Sequence, residues 1–157
     1  MVAGMNSSWK MAVTATLHCL TGCAIGEVLG MVLATWWDWG NAGSVVLSVV
    51  LAFFFGYLLT FSGVRRAGVD VPTAVRTALA ADTVSILTME IVDNGFLVLW
   101  PGAMDATLVD ALFWASLAAS LAIAFVATVP VNHWMIGRGR GHAVVHEMHQ
   151  MDDHMRH

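Results

Sequence analysis

Four apolar runs, each long enough to cross a bilayer as a helix, occupy nearly the whole chain and leave few folds open to it. They fall at about 11–36, 43–62, 73–99 and 106–129. A spanning helix needs roughly 20 apolar residues, because each residue adds only ~1.5 Å of rise against a hydrocarbon layer ~30 Å thick. Charged residues make up 11% of the chain and hydrophobic ones 58%. A soluble domain carries about 25% charged residues. Four spans with short connections use up most of the 157 residues, so no separate soluble domain is expected. The run after Lys10 is too long for a signal-peptide core and contains Cys19, Cys23 and Glu27, which marks it as a retained helix.

The borders of the runs carry turn and cap signals. Asn41 and Gly43 open the second run, and Pro72 sits in the first turn of the third, where its missing N–H costs nothing. Pro101-Gly102 closes the third run, and Pro130 is expected to close the fourth. Trp9, Trp36, Trp37, Trp39, Trp100 and Trp134 lie at run ends, where an amphipathic ring prefers the headgroup level. Lys10, Arg65, Arg66, Arg76, Arg138, Arg140 and Arg156 all fall on one side of a four-span topology, as the positive-inside rule requires.

The expected fold is therefore an all-α integral membrane protein, a four-transmembrane-helix bundle with cytoplasmic N- and C-termini. Its expected location is the bacterial inner (plasma) membrane, as a multi-pass protein in contact with the lipid bilayer. Residues 1–140 form the helical domain, and 141–157 form a His/Met-rich cytoplasmic tail. No basic patch points to nucleic acid, and two Cys are too few for a disulfide framework.

The first run reads HCLTGCAIGEVLGM from His18 to Met31. At about 100° per residue, Cys19, Cys23 and Glu27 share an arc of roughly 80°, and Met31 continues the same spiral. Gly22, Gly26 and Gly30 form an overlapping stripe that lets a neighbouring helix approach closely. Glu27 lies well inside the hydrocarbon, where an acid costs at least ~2.5 kcal/mol and usually marks a pathway or a paired site. A protonated Glu27 bonded to a neighbouring helix is the structural alternative. The third run is the most polar: Asp82, Met89 and Asp93 lie within about 40° of one another, with Glu90 roughly 60° further round. No Lys or Arg occurs inside the spans near these acids, so the carboxyls must be protonated, hydrated or bound to cations. Asp105 and Asp110 are expected at the surface. The second run is apolar apart from Tyr57 and is assigned to lipid or to an oligomer contact. The small residues of the fourth run read as close packing.

In the tail, His142, His146 and His149 follow one another at helical spacing, with Met148 and Met151 interleaved. Imidazole with thioether suits copper, and imidazole with carboxylate suits zinc, nickel or iron. A solvated tail with incidental His is the alternative.

The strings HCLTGCAIGEVLGM, MEIVDNGFLVLWPGAMDA and PVNHWMIGRGRGHA resemble a family of uncharacterised bacterial membrane proteins, domain of unknown function 4396. The resemblance implies a four-helix membrane domain and supplies no activity and no assigned catalytic residue.

Three functions fit these residues. The leading expectation is a metal-ion binding or transport protein for a soft or borderline cation, Cu(I) favoured over Zn or Fe. Its candidate ligands are Cys19, Cys23, Glu27, Met31, Met89, Asp82, Glu90, Asp93 and His18, with the tail capturing metal. Four helices enclose a pathway poorly, so a homo-oligomer is expected. The second is a membrane redox enzyme of oxidase type, against which the nearly parallel Cβ vectors of Cys19 and Cys23 weigh. The third is a proton or cation channel that needs only the carboxylates.

Overall fold

The computed structural model describes residues 2–137, with side chains from Trp9 onward. Four long helices dominate it: α1 (Val2–Trp36), α2 (Asn41–Arg66), α3 (Val71–Leu99) and α4 (Ala111–Gly137). A single 3-10 turn at Ala103–Asp105 precedes α4. Three helical segments, Trp9–Trp36, Asn41–Arg66 and Ala111–Gly137, are long and apolar enough to cross a membrane. α3 has the length as well, but Arg76, Asp82, Glu90 and Asp93 lower its apolar character.

The connections are built from local turn chemistry. Asp70 caps α3 by accepting from the Thr73 backbone N–H at 3.2 Å and from its hydroxyl at 3.1 Å. An Asp at this position satisfies a backbone donor that the helix itself leaves without a partner. After α3, Ala103 N–H bonds Trp100 C=O at 3.2 Å across Pro101-Gly102. Gly102 adopts φ 80°, ψ −7°, the geometry of the third residue of a type II turn, with proline before it. Asp110, just ahead of α4, accepts from the Thr107 N–H and hydroxyl, both at 2.8 Å.

These turns reverse the chain each time. Each helix packs on its neighbours in sequence, α4 returns to α1, and α1 and α3 face each other across the diagonal. Contacts at both ends confirm the alternation. Trp9 of α1 stacks on His133 of α4 with ring centroids 3.9 Å apart, while at the other end Asn41 donates to Asp105 at 3.3 Å. Lys10, Arg65, Arg66 and Arg76 therefore gather at the first of these ends, all exposed.

Three elements differ from the sequence reading: α1 begins at Val2 rather than at about 11, and α4 and α2 differ as well. α4 begins at Ala111 and runs through Pro130 to Gly137 instead of spanning about 106–129. Proline removes one intrahelical hydrogen bond, but a helix held by its neighbours on both sides of the proline tolerates that loss. The continuation brings Asn132, Met135 and Ile136 into the core. α2 is not simply lipid-facing. Ser44, Ser48, Ala52, Gly56 and Thr60, at four-residue spacing, form a buried face, while Val46, Val50, Phe54 and Leu58 form the exposed one. A Cβ on Gly22, Gly26 or Gly30 would run into the backbone of Gly56, Ala52 or Ser48 respectively. The glycine stripe of α1 thus meets the small-residue stripe of α2 backbone to backbone.

Candidate functional site

Across the diagonal, the acidic stripes of α1 and α3 turn inward. Glu27 is 8% exposed, Glu90 4%, Asp93 0% and Asp82 2%. Position on the helix decides this: Val84, Leu87, Ile91 and Val98, all exposed, take the outer face of α3, and the acids lie on the side opposite them. Glu27, Glu90 and Asp93 lie close enough to one another to interact electrostatically. Both oxygens of Glu27 and both of Asp93 are buried without a hydrogen-bond donor. Two facing carboxylates are both acceptors, so they bond each other only when one carries a proton. Glu90 has a partial partner, since Asn94 donates to its Oε2 at 3.1 Å. No described Lys or Arg is buried. A buried charge without a partner is costly, so these carboxyls are not all ionised as they stand.

A cavity adjoins these carboxyls on one side. The cavity, of about 60 Å³, runs between the helices from Asn41 and Met104, beside the interhelix turns, to Glu27 and Asp93. Met31, Ser48 and Ser116 are among the residues that line it. A space that size, polar at its floor, has room for more than one water. Its mouth is at the end opposite the exposed basic residues.

Beneath the carboxyls lies a sulfur layer. Cys19, Cys23 and Met89 belong to one buried cluster with Ala52, Ile86 and Ala124. Both thiols are free, and Cys23 approaches both Cys19 and Glu90. Among the described residues, no three His, Cys, Asp or Glu side chains are arranged to hold a metal ion.

The expected site residues thus divide into groups. Glu27, Glu90 and Asp93 come together, as do Cys19, Cys23 and Met89, and the two groups adjoin through Cys23 and Glu90. Met31 is half-buried and faces the cavity. Asp82 is buried two helical turns from Met89, toward the basic end, and His18 is half-buried. The tail ligands His142, His146, Met148, His149 and Met151 lie outside the described residues.

The contribution of α4 was not legible beforehand. Ser116, Ser120, Thr128 and Asn132 are all buried. Ser116 lines the cavity and Ser120 lies near Asp93. Four-residue spacing of polar groups in an apolar run was the available signal; the expected stop at Pro130 hid Asn132.

A family model described as Domain of unknown function (DUF4396) matches residues 8–141. The chain belongs to the DUF4396 family. The matched stretch contains all four helical cores, the carboxyl group and the sulfur layer. No curated protein and no solved structure matches the chain.

Proposed function

We propose that this DUF4396 protein is a four-span integral membrane protein that takes up a small cation, the proton first, on Glu27, Asp93 and Glu90. The supporting observation is the pair Glu27 and Asp93: four buried carboxyl oxygens with no donor, at the floor of a cavity that opens beside the turns. A proton needs no prearranged ligand cage, and two acceptors meeting face to face are satisfied by one. α3 serves as the fourth span. Its acids face inward, and Val84, Leu87, Ile91 and Val98 dominate its outer face, where Thr83 bonds its own helix and Tyr57.

By the positive-inside rule, the end bearing Lys10, Arg65, Arg66 and Arg76 is cytoplasmic, which places both termini there. The cavity then loads from the opposite face. The test is proton flux into proteoliposomes containing a trapped pH-sensitive dye, driven by a potassium-diffusion potential. Glu27→Gln and Asp93→Asn should each reduce flux to the level of empty liposomes. Flux that survives both substitutions sinks the reading.

One observation favours a second reading. Cys19, Cys23 and Met89 share a buried cluster, and two thiolates with a thioether suit Cu(I). In that case purified protein retains Cu(I) against a colorimetric chelator, and Cys19→Ser/Cys23→Ser releases it. Equal retention by the double variant removes copper from consideration.

A further inference from the structure

The basic-end half of the protein contains a second polar group, which the carboxyl site does not use. Asn132 is 1% exposed and Thr128 0%; they stand one helical turn apart on α4. The Asn132 amide donates to Thr16 Oγ1 at 2.8 Å and to Ser85 Oγ at 3.1 Å. Thr16 donates its own hydroxyl proton to Ala12 C=O at 2.7 Å, so its oxygen is an acceptor there. That settles which end of the Asn132 amide faces Thr16 and leaves Oδ1 pointing elsewhere. Oδ1 is buried without a donor, and so is the Thr128 hydroxyl oxygen. Among the described buried threonines, Thr60 shares this lack of a partner, whereas Thr16 and Thr77 do not. Thr14, Thr16, Thr21, Thr77, Thr83 and Thr88 each bond the carbonyl four residues earlier.

These groups lie in line with the site above. Ser116, Ser120, Ala124, Thr128 and Asn132 form one buried stripe down α4. At ~1.5 Å per residue, the sixteen-residue interval from Ser116 to Asn132 covers about 24 Å, most of the hydrocarbon thickness. Ser116 borders the cavity, Ser120 the carboxyls, Ala124 the sulfur layer, and Thr128 with Asn132 the far polar group. The protein is thus polar above and below a single layer of Cys19, Cys23, Met89 and Ile86.

We infer that Asn132 Oδ1 and Thr128 Oγ1, with Ser85 and Thr16, hold buried water that carries protons between the sulfur layer and the basic end. This rests on the proton reading of the carboxyls and supplies the second half of its route. A proton from Glu90 passes to the Cys23 thiol as Cys23 gives its own proton toward Cys19 and Cys19 gives its own to this water, which hands another proton to solvent at the basic end. Water and side chains are unchanged over the cycle, and no oxidant, reductant or base is consumed. An unmet buried acceptor costs ~1–3 kcal/mol, and a bridging water is the ordinary way to remove that cost.

Thr128→Val is the decisive variant. It replaces a hydroxyl that has no protein partner with a methyl of the same shape, so no bond within the protein is broken. If the group is only packing, thermal stability rises or holds and proton flux is unchanged. If it holds a water path, stability holds while flux in the trapped-dye assay falls several-fold. Asn132→Leu should fall further, with a stability loss that Thr128→Val does not share. Flux unchanged in Thr128→Val overturns the inference and leaves the carboxyl reading standing, provided Glu27→Gln still blocks. Flux unchanged in Glu27→Gln overturns both. High-resolution crystallography gives an independent readout: ordered water within hydrogen-bond distance of Asn132 Oδ1 supports the inference, and a dry Oδ1 overturns it.

Discussion

Asp70 shows how one side chain sets the start of a helix and how pH reaches it. Its carboxylate accepts from both the backbone and the hydroxyl of Thr73, and these bonds hold it below the usual carboxylate range. Asp110 is lowered in the same way, by the backbone and hydroxyl of Thr107. A carboxyl whose folded pKa is depressed contributes stability above its unfolded value of about 3.9, and loses it as pH falls through the lower folded value. Thermal unfolding followed by Trp fluorescence should therefore fall less steeply below pH ~4 in Asp70→Asn/Asp110→Asn than in the parent. An Asn cap keeps the hydrogen bonds without the charge. Equal slopes would mean that neither cap titrates with folding. Gly102 presents a steric case: at φ 80° an added Cβ is strained, and Gly102→Ala should cost about 1 kcal/mol in the same measurement.

At the scale of elements, the α1–α2 pair rests on missing side chains. Gly26 faces the backbone of Ala52 so closely that no Cβ fits, and backbone proximity of this kind is the main source of helix association in lipid. Gly26→Leu is expected to separate the helices and destabilise the protein by about 1–3 kcal/mol, the cost of overpacking. Urea or heat titration against Gly63→Ala, where a Cβ meets nothing, isolates packing from helix propensity. Because Gly26 precedes Glu27, the same change should widen the carboxyl site and lower proton flux. The glycine stripe was legible in the sequence, since small-xxx-small spacing needs no knowledge of the partner. Its partner was not, because Ser44, Ser48, Ala52 and Gly56 register as a face only once they are opposed to another helix. Pro130 misled in the same way: an isolated helix would stop there, and this one continues because α1 and α3 hold its last turns through Asn132.

For the whole molecule, alternation of four helices puts Trp9 beside His133 and Asn41 beside Asp105, at opposite ends. Under the proposed orientation, a pH-sensitive or protease-cleavable tag on either terminus reports the cytoplasm, whereas a tag inserted at Asn41 reports the opposite face. A terminus found on the side of Asn41 would overturn the four-span arrangement. The cavity, the carboxyls, the sulfur layer and the Asn132 group follow one another between those two faces.

The number of long helices, the bounds of α2 and α3 to within a few residues and the segregation of Lys and Arg follow from local composition, because a bilayer tests each segment separately by length and charge. The inward aim of Glu27, Glu90 and Asp93 was legible in part, since helical periodicity gives each stripe its angle. Tertiary structure alone decided that these two stripes face each other, that Asp82 stands apart, and that Cys19 and Cys23 meet Met89. Those outcomes depend on the rotation of each helix about its own axis, which is set by contacts with neighbours that no single segment encodes.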